Sequence, residues 1–435
     1  MRTRDKISVI TLGCSKNTVD SERLLNQLKV NDLNISDDLE DTDTVIINTC
    51  GFIEAAKEES INTILNAIAL KQKGKLKKVM VAGCLSQRYK NELAKEIPEV
   101  DSYFGTEDYG NILKELGGEL KYNLLGERLI SSPYHTAYLK ISEGCDHPCS
   151  FCAIPLMRGK HVSRSIEELV NEARFLANHG TKEVVVIAQD TTDYGKDIYD
   201  QKNISYLLNK ISEVEGIEWI RLMYAYPSKF PDDLIDVLAN NPKVCKYIDI
   251  PIQHISDDVL RSMRRGVTAR RTKELINKLR KNVPGIAIRT TFLVGYPNET
   301  EKDFKELCGF AEEFEFDRAG TFTFSGEENT SSFILGNPIP ERVKLERKKI
   351  LMEIQKEISS KKNKSLLGKK LNVLIDRIEG NFYIGRSYRD APEVDGEVLI
   401  PLNGYKLKPG NFCVAKINNY NEYDLYGEII HSGRI

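Results

Sequence analysis

The stretch Cys145-Asp146-His147-Pro148-Cys149-Ser150-Phe151-Cys152 decides how this chain is read, because its unequal spacing offers three thiolates to one inorganic cluster and no fourth protein ligand. Zinc sites pair a CxxC with a second CxxC or with spaced histidines, and neither partner set follows within a small module. The CxxxCxxC spacing predicts instead an iron-sulfur cube with one open corner, where a small molecule can bind.

Working outward from that loop, apolar runs alternate with helical periodicity. Strands are expected at Tyr138 to Ser142, Glu183 to Gln189, Trp219 to Tyr226, Tyr247 to Gln253, Ala287 to Gly295 and Ala319 to Ser325. Helices are expected over Ser165 to His179, Ile204 to Val214, Pro231 to Ala239, Ala269 to Lys281 and Glu301 to Phe314, with Ser165 as an N-cap ahead of an acidic first turn. This alternation predicts an α/β fold whose centre, 131–366, is a partial (β/α)6 TIM-like barrel. In such barrels the site lies at the carboxyl ends of the strands, and the CxxxCxxC loop follows the first strand there.

Residues 1–125 predict an amino-terminal parallel α/β domain. Three apolar runs, Ile7 to Cys14, Thr44 to Cys50 and Lys78 to Cys84, each end in a cysteine, and helical patterns at Val19 to Leu28 and Glu54 to Leu70 separate them. Right-handed crossovers place the carboxyl ends of parallel strands on one edge of a sheet. Cys14, Cys50 and Cys84 are therefore expected to converge as a second three-thiolate site, although any one alone would read as a small buried hydrophobe. Gly117 to Ser132 reads as a linker. Residues 367–435 alternate apolar and polar positions between frequent turns, which predicts a small antiparallel β-barrel. Before it, Glu341 to Lys370 carries eleven Lys or Arg against four Glu at helical spacing, and is read mainly as a solvated connecting helix within reach of phosphate.

Composition narrows the function classes. A net charge of -2 over 435 residues gives no general attraction to nucleic acid or acidic membrane. No apolar run suffices for a membrane span and the start, MRTRDKISVITLGC, lacks a signal-peptide core, so a cytoplasmic protein is expected. Nine cysteines in a reducing compartment read as cluster ligands and buried thiols rather than disulfides.

Cys145, Cys149 and Cys152, with Phe151 before the last cysteine and Glu143-Gly144 ahead of the first, resemble the radical-SAM superfamily. That resemblance implies S-adenosylmethionine on the open iron and Phe151 beside its adenine. Gln189, Asp190 and Gln253 at strand ends, with Arg289 inside the fifth strand, are the other candidate cofactor contacts, and His254 more simply satisfies a local hydrogen bond. With Cys14, Cys50 and Cys84 and the terminal barrel added, the whole chain resembles the methylthiotransferases, whose last module is a TRAM domain. Four segments, Leu12 to Asn17 with Val19 to Glu22, Asp190 to Gly195, Asp249 to His254 and Asp390 to Gly396, resemble its RimO-type branch.

The resemblance implies two 4Fe-4S clusters, one on each cysteine trio, and S-adenosylmethionine as both methyl donor and radical source. It implies transfer of a methylthio group to the β-carbon of an aspartate in small-subunit ribosomal protein twelve, with a reductant such as flavodoxin or ferredoxin and with no catalytic residue beyond the clusters. The charge of the last segment agrees: Leu371 to Ile435 holds seven Lys or Arg against nine Asp or Glu, which suits a basic protein better than RNA. Direct RNA contact, through the basic helix, is secondary. Three other readings stay open at this point: a tRNA-modifying methylthiotransferase, a zinc hydrolase, and an RNA-binding module with a structural metal.

Overall fold

Continuous Val and Ile runs bounded by turn residues give the first third of the chain its parallel sheet. A computed structural model describes residues 5–131 and 133–433. Its first module runs β1 (Lys6–Thr11), α1 (Ser15–Val30), β2 (Asn34–Ile35), β3 (Thr44–Thr49), α2 (Glu54–Gln72), β4 (Lys78–Gly83), α3 (Cys84–Glu96), β5 (Ser102–Tyr103) and α4 (Tyr109–Glu115). All neighbours in the sheet order β2-β1-β3-β4-β5 are parallel. Helices cover both faces, so Val45, Ile46, Ile47, Val79, Met80 and Val81 are fully buried and the strands read as unbroken apolar runs.

The central module continues with β6 (Thr136–Lys140), β7 (Ser142–Glu143), α5 (Ile154–Arg158), β8 (Val162–Ser163), α6 (Ile166–Asn178), β9 (Glu183–Ile187), α7 (Ile204–Ser212), β10 (Trp219–Leu222), α8 (Asp232–Asn240), β11 (Val244–Gln253), α9 (Asp257–Ser262), α10 (Ala269–Asn282), β12 (Ala287–Val294), α11 (Glu301–Phe314), β13 (Arg318–Thr323) and α12 (Glu341–Lys364). Six strands form one all-parallel sheet in the order β13-β12-β11-β10-β9-β6, an open partial barrel as expected. Ser165 caps α6 in a reciprocal capping box with Glu168. Five further strands, β14 (Lys370–Glu379), β15 (Phe382–Ser387), β16 (Val398–Pro401), β17 (Phe412–Tyr420) and β18 (Leu425–Ser432), close a small barrel that is antiparallel except where β16 runs parallel to β18. Among the described residues, no helix is long and apolar enough to cross a membrane.

Six strands cannot close around their own interior, and the other two modules fill the gap. Val19 of α1 and Leu374 and Ala391 of the terminal barrel pack with Tyr138, Val185, Ile187, Trp219, Tyr247 and Ala287 of the central sheet. Polar contacts then fix the terminal barrel in place. Asp395 accepts from Tyr247 Oη at 2.7 Å, Asp390 pairs with Arg318 at 2.6 Å, and Arg386 pairs with Glu183 at 2.7 Å.

Two local expectations change. The segment expected to be a plain linker carries Arg128, whose buried guanidinium pairs with Glu22 of α1 at 2.8 Å and Glu172 of α6 at 3.0 Å and donates to the Tyr138 carbonyl. It is a rivet between modules rather than a tether. The basic helix α12 is solvated on one face only: Lys344 is fully buried and donates to the Phe324 carbonyl at 2.7 Å, and Arg347 pairs with Glu299 at 3.0 Å.

The rivet makes a pH-dependent contribution. Burial would raise the Glu172 carboxyl, but Arg164, Arg128 and Arg23 outweigh it and hold it down at about 2 from an ordinary 4.5. A carboxyl depressed in the folded state stabilises fully above the ordinary value, and that contribution fades as pH falls from 4.5 toward 2. Over that window the wild type is expected to lose about 3 kcal/mol more than Glu172→Gln, measured as urea-unfolding free energy against pH. Parallel curves for the two proteins would contradict the assignment.

Candidate functional site

Both cysteine trios follow the carboxyl ends of strands, the first directly on the parallel sheet and the second beyond β6 and the short β7. Cys14 ends the β1 turn as the N-cap of α1, Cys50 follows β3, and Cys84 is the first residue of α3 directly after β4. Close backbone approach brings them together: Gly13 has φ +90°, and a Cβ there would lie 2.5 Å from Cys50 Cβ and 2.8 Å from Cys50 Sγ. Asn17 ties the two loops, donating from Nδ2 to the Leu12 carbonyl at 2.7 Å and the Thr49 carbonyl at 3.1 Å. Burial pushes the Cys84 thiol up to about 12, with Cys14 and Cys50 adding to the rise, and burial raises Cys50 as well. Such thiols give up a proton readily only to a metal-type acceptor.

The second trio occupies the loop after β6 and β7. Burial pushes Cys145 up to about 12 and Cys152 up to about 11, with the neighbouring sulfurs of the trio adding in each case. Cys149 Sγ accepts from Arg265 Nη1 at 3.4 Å and lies 3.4 Å from Tyr226 Oη. His147, inside the loop, is engaged elsewhere: Nε2 donates to Asp190 at 2.6 Å, and the ring stacks on Tyr226 with centroids 3.7 Å apart. Among the described residues, the groups of metal-type ligand atoms that lie within 4.8 Å of one another are His147 with Asp190 and Asp193, and Asp20 with Glu107 and Glu143. Neither contains a cysteine. Three thiolates with no histidine or fourth cysteine grouped with them among the described residues suit a cube with one open corner better than a closed tetrahedral zinc site.

The loop holding Cys145 depends on Gly144, whose φ is +74° and whose added Cβ would lie 2.0 Å from the Lys160 carbonyl oxygen. Gly144→Ala is expected to cost about 2–4 kcal/mol through strain and overlap. The check is urea unfolding together with iron content, which should fall on the barrel side; wild-type values of both would refute it.

A buried ion network joins the two modules beside Cys84. Arg158, at the end of α5, donates from Nε to Cys84 Sγ at 3.2 Å and from Nη2 to Asn17 Oδ1, and pairs with Asp20 at 2.6 Å and Glu143 at 3.0 Å. Lys140 meets the same Asp20, together with Glu107 at 2.7 Å and Glu143 at 2.6 Å. Burial raises the Asp20 carboxyl, yet Lys140 and Arg158 pull it well below the usual carboxylate range. Cys84 also packs on Ala153 and Met157, just past Cys152. Thus the sheet edge of one module abuts the cysteine loop of the next. Sequence reasoning missed Arg158 and Lys140, and singled out Asn17 and Asp20 only inside a segment of resemblance, because contacts between distant segments leave no periodic trace.

The other expected contacts are spread around the rim. Phe151 packs against Val259, Met263, Leu293, Tyr296 and Phe324. Gln189 donates to Glu143, and Asp190 binds His147 and the Thr192 amide. Gln253 ends β11 with φ +74°, a strained backbone for a residue with a side chain. Arg289 shares its charge between Asp249 at 3.2 Å and Asp395 at 3.3 Å. His254 is buried, pushed down to about 4 by burial, and accepts the Ser256 amide through Nδ1 at 3.0 Å, the local bond expected for it. Of the remaining cysteines, Cys245 and Cys413 are buried and Cys308 is half-buried on α11.

Comparison with known proteins gives this geometry a family. Two solved structures share the fold at low identity: the radical S-adenosylmethionine methyltransferase TsrM from Kitasatospora setae, with TM-score 0.55, 14% identity and coverage of 76% of this chain and 77% of that one; and the cobalamin-dependent S-adenosylmethionine radical enzyme OxsB, with TM-score 0.53, 13% identity and coverage of 81% and 56%. Family models match in three blocks: the uncharacterized protein family UPF0004 over residues 6–105, the Radical SAM superfamily over 139–311 and the TRAM domain over 367–430. Proteins named ribosomal protein uS12 methylthiotransferase RimO match from end to end. That of Christiangramia forsetii is 53% identical over 98% of this chain and 96% of its own length, that of Chloroherpeton thalassium 52% over 98% and 99%, and that of Cytophaga hutchinsonii 51% over 98% and 98%. With half of its residues shared across three successive modules, this chain belongs to the RimO family of methylthiotransferases.

Proposed function

We propose that the chain transfers a methylthio group to the β-carbon of an aspartate in ribosomal protein uS12. The observation that supports the reading is the packing of Cys84 on Ala153 and Met157, just past Cys152, with Arg158 donating to the Cys84 sulfur across the same seam. Cys145, Cys149 and Cys152 would hold a 4Fe-4S cluster on the barrel side, and Cys14, Cys50 and Cys84 another on the sheet side. When bound, those groups with S-adenosylmethionine supply a carbon-centred radical and a methylated sulfur, chemistry suited to a C–H bond that no acid or base can activate.

The chain's own residues position and enclose. Arg265 and Tyr226 contact the Cys149 sulfur, and hydrogen bonds to a ligand sulfur tune a cluster's potential. Phe151, Gln189, Asp190, Gln253 and Arg289 are the proposed contacts to S-adenosylmethionine, Arg289 with its charge already shared by Asp249 and Asp395. The acidic terminal barrel suits a basic ribosomal protein, and the outward face of α12 offers a secondary contact to RNA. A low-potential donor of the flavodoxin or ferredoxin class supplies electrons, and the cytoplasm is the setting where ribosomes meet reduced thiols.

The test is anaerobic reconstitution followed by turnover on ribosomes, with mass spectrometry of uS12. A gain of one methylthio group in place of hydrogen on the aspartate is expected. Modification of tRNA with uS12 unchanged would overturn the assignment.

A further inference from the structure

Among the buried Lys and Arg of the described residues, two have no carboxylate within ion-pair range, Lys16 and Arg265. Arg265 has an anion of its own when Cys149 is a thiolate, since Nη1 donates to that sulfur. Lys16 is left with an aromatic face: its Nζ lies 3.0 Å from the centroid of the Tyr224 ring while the residue is only 8% exposed. Burying an ammonium without an anion is costly, and a ring quadrupole offsets only part of that cost. A structure that answers its other buried cations so fully has left this one for a ligand.

Its placement says which ligand. Lys16 follows Cys14 by two residues on the face of α1 that also sends Val19 into the barrel interior. Tyr224 follows β10 in a left-handed backbone, φ +60°, held by its amide donating to Asp249 at 3.2 Å and by its carbonyl accepting from the Thr191 amide at 3.0 Å. Two residues on, Tyr226 lies against Cys149 Sγ. The Tyr224-Ala225-Tyr226 segment therefore runs from the ring under the ammonium of Lys16, two residues past Cys14, to the sulfur of Cys149.

We propose that Lys16 is the substrate-binding cation that receives the carboxylate of the target aspartate. In an aspartate side chain the carboxyl carbon is bonded to the β-carbon, so a cation holding the carboxylate fixes the reacting carbon to within one bond. Held on Lys16, that carbon lies at the Tyr224 end of the short segment that reaches Cys149. The same contact selects an acidic side chain over an amide or a nucleobase. The inference rests on the function proposed above and names the group that recognises its substrate.

The experiment measures binding of purified uS12, and of uS12 with the target aspartate changed to asparagine, to reconstituted holoenzyme of matched iron content. Wild type is expected to bind the aspartate form about 100-fold more tightly than the asparagine form. Lys16→Met, which keeps length and packing over Tyr224, should bind both forms alike, and Lys16→Arg should restore part of the preference. A structural role would weaken both forms equally and keep their ratio. Retention of the full preference by Lys16→Met, or its absence in the wild type, overturns the inference while leaving the family reaction standing. Failure of wild-type holoenzyme to modify uS12 at all overturns the proposed function, and this inference falls with it.

Discussion

Cys149→Ala is expected to reduce 5'-deoxyadenosine release from S-adenosylmethionine to background and to bring the iron content from about eight to about four per chain. Cys50→Ala should lose the same share of iron yet keep that cleavage, while uS12 gains no methylthio group. The contrast follows from position. Cys149 lies in the barrel loop against Tyr226 and Arg265, whereas Cys50 follows β3 in the neighbouring module, where Gly13 lies against it. Iron assay, chromatography of the reduced reaction and mass spectrometry of uS12 read the three quantities separately. Equal loss of cleavage in both variants would mean that the trios do not act as separate centres.

Much of this was legible in the chain. Buried parallel strands write continuous apolar runs such as Val184 to Ile187, and amphipathic helices write a period near 3.6, so the alternation fixed the six-stranded sheet and its five flanking helices closely. The three cysteines at strand ends were readable for the same reason, because sheet topology converts a sequence period into one edge. What escaped was short or long-range. β2 and β5 are two residues each, too short to show alternation. α5 is five residues with a proline in its first turn, so nothing marked Arg158 as a helical residue aimed at another module. Arg128 was hidden by a weakly periodic context that reads as linker, and Lys344 by a run of lysines in which one inward residue looks like its solvated neighbours. Charge pairing across a fold is decided by which side chains meet after the backbone is placed, and of this network only Glu143 and Asp20, each near a cysteine in a quoted segment, carried a local clue.

Arg158 is therefore where substitution should reveal most about how the two modules depend on each other. Its guanidinium serves Cys84, Asn17, Asp20 and Glu143, which come from both modules, and the partners Asp20 and Cys84 are 138 and 74 positions away in sequence. Arg158→Leu leaves Asp20 and Glu143 buried with Lys140 as their shared cation, and removing one member of such a network costs roughly 3–5 kcal/mol. The same change strips the Cys84 sulfur of its donor and frees the Asn17 tether, so iron should fall from about eight toward about four per chain as the sheet-side site empties. Arg158→Lys should recover little of either, since a single ammonium cannot span four acceptors in the plane of a guanidinium fork. Urea unfolding of the cluster-free protein isolates the ionic part, and iron counting after reconstitution isolates the part that acts on Cys84. If Arg158→Leu unfolds within about 1 kcal/mol of the wild type and still takes up a full complement of iron, the desolvation cost of the network cancels its attraction, and the two modules are held together by apolar packing of Cys84 on Ala153 and Met157 instead.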